Sequence, residues 1–172
     1  AHADRALLGA SVGRREAEEK LLLSQLRLDG VIQSAMDAII TVDQDQRVVL
    51  VNRAAEQMFA CPAHEAVGQP LDRFLPTRFR EAHRHHVEAF GQSRSTSRKM
   101  GQLGKVAGLR SNGEEFPVEA AISHVVVEGK TFYTVILRDI TERLRAEEQL
   151  RGIEERSRLA LEAGQLGVWE CD

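Results

Sequence analysis

Leucines near the start of the chain are spaced for a helix. Residues 14–28 contain neither proline nor glycine, and Leu21 and Leu28 lie one heptad apart in a segment rich in charged side chains. An apolar stripe on a charged segment predicts an amphipathic helix that packs against another surface. The glycines that precede it predict a less regular structure over residues 1–13.

The pattern changes to that of strands after this helix. Ala38–Val42 is a β-branched run, residues 43–46 are polar, and residues 47–51 form a second β run. Two such runs around a short polar turn predict a hairpin. Asn52 then stands where it can cap a short helix over Arg53–Phe59.

The middle of the chain predicts one longer helix followed by three strands. The helix spans residues 77–90, where Thr77 can cap its start and Gly91 can end it. Turns that contain glycine separate the strand candidates, which are residues 99–109, 114–127 and 131–137. Apolar residues alternate along the second candidate, which is typical of a strand with one buried face.

A charged, leucine-containing helix is predicted at the end of the chain. It starts at Glu142, where Asp139 or Thr141 can cap it, and runs towards Ala163. Apolar side chains recur along it at seven-residue spacing, which is typical of a coiled-coil seam. The complete order of elements predicts an α+β fold, with helices on one face of a five-stranded antiparallel sheet.

Composition and charge narrow the class of function. Hydrophobic residues make up 42% of the chain, enough for a packed core. The 23 basic and 26 acidic residues give a net charge of −3, which does not favour nucleic acid binding. No apolar run approaches the roughly 20 residues that span a bilayer, so we expect a cytoplasmic segment without membrane contact.

Neither the cysteines nor the short motifs indicate catalysis. Cys61 and Cys171 lie in unlike contexts and form no CxxC pair, and we expect Cys61 to be a buried apolar side chain. The chain has no phosphate-binding loop of the P-loop type and no nucleophile elbow. We therefore do not expect this segment to be an enzyme.

Several phrases of the sequence together resemble the PAS domain family. They are DAIITVD at 37–43, VNRAAE at 51–56, VG at 67–68, RSNGEEFPVE at 110–119 and RDITER at 138–143. The resemblance implies the PAS fold, flanked by coiled-coil-like helices at both ends. It divides the chain into an N-terminal extension and helix (1–28), a sensor domain (29–141), a linker helix (142–163) and the start of a truncated second PAS domain (164–172).

The resemblance also implies a function in bacterial signal transduction. PAS domains bind a small molecule or cofactor between sheet and helices, and pass a signal through the flanking helices. We expect a homodimer that acts on an output domain of the same polypeptide, a histidine kinase or a diguanylate cyclase/phosphodiesterase. Asp139 and Thr141 would relay the signal into the last helix. The alternative is a ligand-free module for dimerisation and relay.

One histidine suggests a specific cofactor. On a helix, His83 shares a face with the residues three, four and seven positions later, which are His86, Val87 and Phe90. A neutral imidazole on such a face is suited to an axial haem ligand. Pro76, Arg80 and His83 reproduce a Pro-x-x-x-Arg-x-x-His pattern similar to that of haem-binding oxygen-sensor PAS domains of the FixL and DOS types. This resemblance implies haem b bound through His83.

Other positions depart from those haem sensors or exclude other cofactors. Met100, Gln102 and Leu103 would lie on the distal side, but Gly104 stands where the oxygen-sensing arginine would be. The alternative is a pocket that is empty or holds a small organic ligand, with His83 bonded to a carbonyl. Asp72 stands at the position of the flavin-binding cysteine of LOV-type PAS domains, so we do not expect a cysteine–flavin adduct, and non-covalent FAD stays an alternative.

Overall fold

The computed structural model describes the backbone of residues 2–92, 97–99 and 106–166, and the side chains of residues 13–92, 97 and 106–163. Five helices are named α1 (His2–Ser34), α2 (Arg53–Phe59), α3 (Ala63–Ala66), α4 (Arg80–Gly91) and α5 (Thr141–Leu166). Six strands are named β1 (Ala38–Val42), β2 (Val48–Val51), β3 (Ser97–Lys99), β4 (Val106–Leu109), β5 (Glu115–Val127) and β6 (Lys130–Asp139). Two short 3₁₀ turns lie between α3 and α4, at Leu71–Phe74 and Thr77–Phe79.

The sheet is antiparallel and has five strand positions. Its order is β2-β1-β6-β5, followed by β3 and β4 on the remaining edge of β5. Val118 of β5 pairs with β6 on one side and with Val106 on the other, while Ala121 pairs with β6 and with Lys99. β3 and β4 therefore share one position, and the predicted single strand over 99–109 is two strands; residues 100–105 between them lie outside the described residues.

The core lies between one face of the sheet and the helices. Along β5, Phe116, Val118, Ala120 and Ile122 are buried, as their alternation predicts. They pack in one apolar cluster with side chains of β1 and with Phe59 of α2. Burying large apolar side chains stabilises a fold by about 1.5–3 kcal/mol each relative to exposure. This cluster therefore fixes the sheet against the helices that cover it.

The fully buried Asn52 joins three elements around this core. Its side-chain oxygen accepts the amides of Ile39 in β1 and Ala55 in α2, each at 2.9 Å. Its side-chain nitrogen donates to the carbonyl oxygens of Ile32 in α1, at 3.1 Å, and Asp37, at 3.0 Å. The predicted helix cap is confirmed, and the same amide also fixes the end of α1 against the sheet.

The terminal helices are longer than predicted. α1 begins at His2, so the expectation of a less regular segment over residues 1–13 is wrong. A glycine inside a helix costs only about 1 kcal/mol relative to alanine, which the strong helix formers around Gly13 offset. α5 starts at Thr141 and continues to Leu166, and residues 167–172 lie outside the described part of the chain. The second PAS domain predicted from residue 164 stays a prediction.

The start of the predicted helix over 77–90 is also different. A 3₁₀ turn at Thr77–Phe79 precedes α4, and no side chain caps either element. Pro76 is fully buried and has no amide proton to donate, so a tight 3₁₀ turn can follow it directly.

In the described part of the chain, no helix has both the length and the apolar character that a bilayer crossing requires.

The substitution Asn52→Ala should lower the free energy of unfolding by about 2–4 kcal/mol, because it removes a helix cap and leaves buried backbone groups without partners. Urea unfolding followed by circular dichroism measures this loss. Asn112→Ala is the matched control, since Asn112 is exposed and accepts only the nearby amide of Glu114. Its effect should stay within about 1 kcal/mol; equal losses in the two variants would contradict the role assigned to Asn52.

Candidate functional site

A small cavity lies between the sheet and the helices. Its volume is about 40 Å³, and the lining residues come from nearly every element of the core. They include Phe59, Phe74, His83, Gly108, Val118 and Leu137. The lining is almost wholly apolar, so the cavity suits a small apolar molecule or apolar part of a larger one.

His83 is the one titratable side chain among the described lining residues. Burial lowers the pKa of His83 below its ordinary value; Asp72 acts against this shift and His86 adds to it. Its Nδ1 atom is buried and has no hydrogen-bond partner among the described residues. A neutral imidazole with an unpartnered nitrogen can bind a metal centre or hydrogen-bond a polar group of a ligand.

The other residues predicted on the face of His83 do not share its surroundings. Val87 and Phe90 are buried in the core, but neither is among the described residues that line the cavity. The Phe90 ring instead meets the ring of His124 edge-on, with centroids 5.1 Å apart. His86 is exposed. Only His83 of this predicted set lies at the cavity, and Met100, Gln102 and Leu103 lie outside the described residues.

The position of the LOV cysteine is occupied by a paired carboxylate. Asp72 accepts a hydrogen bond from Nε of Arg84 at 3.0 Å and a second from the same guanidinium. This pairing raises the pKa of Arg84. Cys61 is buried, as predicted, and its thiol lies 3.8 Å from the carbonyl oxygen of Pro62. No thiol of the described residues therefore lies at the flavin-adduct position.

The chemistry of the cavity is compatible with haem, but the volume of the cavity is too small for a porphyrin. Burial disfavours the charged form of His83, and its Nδ1 atom has no hydrogen-bond partner among the described residues, so the imidazole could serve as an axial ligand. However, the cavity of about 40 Å³ is far below the roughly 300–1,000 Å³ of sites that enclose organic ligands. A porphyrin would require α4 and the sheet to move apart. As described, the cavity accommodates only a few atoms.

A second group of side chains links the cavity wall to α5; we call Met58, Arg110, Phe116, Asp139 and Thr141 the Arg110 cluster. The Arg110 guanidinium donates to Asp139 Oδ2 at 2.6 Å and to the carbonyl oxygen of Met58. It also stacks on Phe116, with Cζ 3.8 Å from the ring centroid. Asp139 Oδ1 accepts from the amide of Thr141 at 2.9 Å and from its hydroxyl at 2.6 Å.

Asp139 is held ionised within this cluster. Burial acts to raise the pKa of Asp139, but the hydrogen bonds from Thr141 and from Arg110 outweigh it and hold the pKa below its usual value. One carboxylate therefore caps α5 and pairs with the end of β4. The sequence predicted Asp139 and Thr141 at the start of this helix, but it did not predict the contacts of Arg110. The one sequence feature that pointed to Arg110 was its position at the start of the PAS-like segment 110–119.

A match to known proteins places the chain in a family. The family model described as "PAS domain" matches residues 36–142, which is more than half of the chain. The chain therefore belongs to the PAS domain family, and the resemblance of its sequence phrases is confirmed.

Relatives with established names agree with this assignment. The chain is 25% identical over 140 residues to Sensor protein FixL of Bradyrhizobium diazoefficiens, and 25% identical over 119 residues to Oxygen sensor protein DosP of Escherichia coli. The matches cover 81% and 69% of this chain but only 28% and 15% of those relatives. The chain is thus a PAS sensory domain that spans a small part of the length of the curated proteins it matches.

A solved structure independently supports the fold. The PAS domain of an HTR-like protein from Haloarcula marismortui is similar with a TM-score of 0.61 and 23% identity. The similarity covers 73% of this chain and 99% of that domain. At this level of identity the comparison establishes the fold, and the predicted α+β PAS architecture is confirmed.

His83 should make the stability of the domain depend on pH. When the pH falls below about 6.5, the unfolded state gains a proton on this imidazole while the folded state, with its lowered pKa, does not. Stability should therefore fall between about pH 7.5 and about pH 5.5, and His83→Gln should reduce that fall. The measurement is the free energy of unfolding in urea at both pH values.

The matched control for this experiment is His85→Gln, because His85 is exposed on the same helix. It should keep the pH dependence of the wild type. If His83→Gln and the wild type lose the same stability on acidification, His83 is not held neutral by burial.

Proposed function

We propose that this PAS domain is a ligand- or cofactor-gated sensor. Binding of a molecule in its cavity would change the state of an output domain of the same polypeptide, and α5 would transmit that change. The observation that supports this most is the continuity between the cavity and the helix start. Gly108 and Phe59 line the cavity, and both lie against Phe116 of the Arg110 cluster, which caps α5 through Asp139. A change at the cavity can therefore bias the orientation of α5.

The chemistry of the lining defines the class of ligand. The apolar walls favour a small apolar molecule or group, and His83 offers one position for a polar atom or a metal. Haem is the second candidate, because His83 is neutral, partly buried and lacks a partner at Nδ1. The relative DosP is named an oxygen sensor protein, which agrees with a haem role, but that function belongs to DosP. Haem binding would require the cavity to expand.

Two substitutions on adjacent residues test whether the cavity holds a ligand. Ala120 lines the cavity, whereas Ala121 lies on the opposite face of β5. Native mass spectrometry of the purified wild type should detect a bound small molecule. Ala120→Leu should lose that mass because the added atoms fill the cavity, and Ala121→Leu should keep it. A wild type without any bound molecule, even after incubation with hemin, supports the ligand-free relay instead.

An absorption spectrum distinguishes haem from other ligands in the same samples. Bound haem gives a Soret band, which His83→Ala should abolish and His85→Ala should leave in place. A ligand mass without a Soret band, before and after addition of hemin, contradicts haem and leaves the small organic ligand.

We also propose that the domain works as a parallel homodimer in which α1 is the main contact. Leu21, Leu22 and Leu26 of α1 are each more than half exposed. A leucine row of this kind on an otherwise charged helix favours pairing with the same helix of a second copy. The output of such a dimer would be a rotation or tilt of the paired α5 helices.

Removing residues 1–28 should convert the dimer to a monomer, because the whole leucine row is lost. Sedimentation equilibrium measures the mass. Leu26→Glu in the full chain should weaken the dimer in the same way, while Val126→Glu, at an equally exposed apolar residue of β5, should have little effect. An unchanged mass after removal of residues 1–28 contradicts the assignment of α1.

A further inference from the structure

The cavity wall at Gly108 has no free space behind it. A Cβ atom on Gly108 would lie 2.7 Å from Cζ and 2.9 Å from Cε1 of Phe116, and 3.2 Å from Cε1 of Phe59. The two rings meet edge-on, with centroids 5.6 Å apart. The two contacts with Phe116 are shorter than packed carbon atoms allow, so a group placed there must displace the Phe116 ring.

The Phe116 ring is also the surface on which Arg110 rests. The guanidinium carbon lies 3.8 Å from the ring centroid. This geometry is that of a cation–π contact, which is strongest when the cation stays over the ring face. A displaced ring therefore draws the guanidinium with it or loses the contact. The same guanidinium makes the 2.6 Å hydrogen bond to Asp139 and an ion pair with Glu114 at 3.3 Å, so a guanidinium that follows the ring is drawn away from the carboxylate that caps α5.

A shift of the sheet itself is a less direct route from the cavity to α5. β5 and β6 are paired without interruption from Val118 and Asp139 to Val127 and Lys130. Sliding one strand along the other would break this whole ladder of hydrogen bonds, whereas the displacement of one side-chain ring breaks none of them. The side-chain route also ends on the carboxylate that caps α5.

We propose that Phe116 is a positioning residue that transmits occupancy of the cavity to α5, by moving Arg110 and thereby loosening the Asp139 cap. This inference rests on the proposed function, since it takes the cavity as the sensory site and α5 as the output. Phe116 need not touch the ligand. Its role follows from its contact with two lining residues on one side and with Arg110 on the other.

Gly108→Ala places a methyl group of a cavity-lining residue against the Phe116 ring, so it tests the route without any ligand. The readout is amide hydrogen exchange at Thr141, whose amide bonds to Asp139, and at Leu144, whose amide bonds to Ile140. Exchange should become faster by about fivefold or more, the lower range of allosteric coupling. Gly13→Ala is the control, because no atom lies within 4 Å of its added Cβ, and it should leave these amides unchanged.

The same substitution in a Phe116→Leu background shows whether the ring is the route. There Gly108→Ala should cause no further change, because the smaller side chain leaves room for the methyl group. An equal acceleration in both backgrounds, or no acceleration in the wild-type background, overturns the inference.

A second pair of variants decides the question if Gly108→Ala does not fold. Phe116→Leu alone removes the support of Arg110 and should speed exchange at Thr141. Phe79→Leu is the matched control, because it removes another cation–π contact, with Arg78 at 4.5 Å, that lies outside the Arg110 cluster. Equal effects of the two substitutions at Thr141 overturn the inference.

This outcome is separable from that of the proposed function. A ligand mass that Ala120→Leu abolishes, together with unchanged exchange in Gly108→Ala, overturns only the route through Phe116. Faster exchange in Gly108→Ala, together with a cavity that retains no molecule, supports the route and contradicts the ligand-gated function.

Discussion

The arrangement of this domain depends on the four hydrogen bonds of one buried amide. Asn52 binds the end of α1, the segment before β1, β1 itself and the first turn of α2. These polar groups are buried or half-buried, and each would be costly to leave without a partner. An aspartate could not replace Asn52, since two of the four bonds need a donor. Asn52 therefore fixes the start of the helix α2, which carries Phe59 of the cavity wall at its other end.

Arg110 has a corresponding role on the other side of the cavity. It holds the carbonyl of Met58 near the end of α2, the Phe116 ring in β5 and the carboxylate of Asp139 at the end of β6. Asn52 and Arg110 thus hold opposite ends of α2. The first connects this helix to α1 and the second connects it to α5. The short α2 lies on the path between the two terminal helices, and the cavity lies beside that path.

The sequence predicts the elements of this fold better than the contacts between them. The alternation along β5 and the cap at Asn52 are local signals, and the structure confirms both. The remaining contacts of Asn52 join residues 13 to 20 positions apart, and the hydrogen bonds of Arg110 to Asp139 and Met58 join residues 29 and 52 positions apart. No local periodicity encodes such pairs. The same limit applies to His83 and His86, which share a predicted face although His83 is half-buried and His86 is exposed.

The shared carboxylate of Asp139 has a thermodynamic consequence. If a ligand in the cavity changes the affinity with which a partner binds α5, then that partner changes the affinity of the cavity for the ligand. By thermodynamic reciprocity, the two affinities change by the same factor. A following domain that clamps this helix, or a partner helix beside it, therefore acts as an effector of the sensor. The same chain attached to different outputs would respond to different concentrations of one ligand, without any substitution in the cavity.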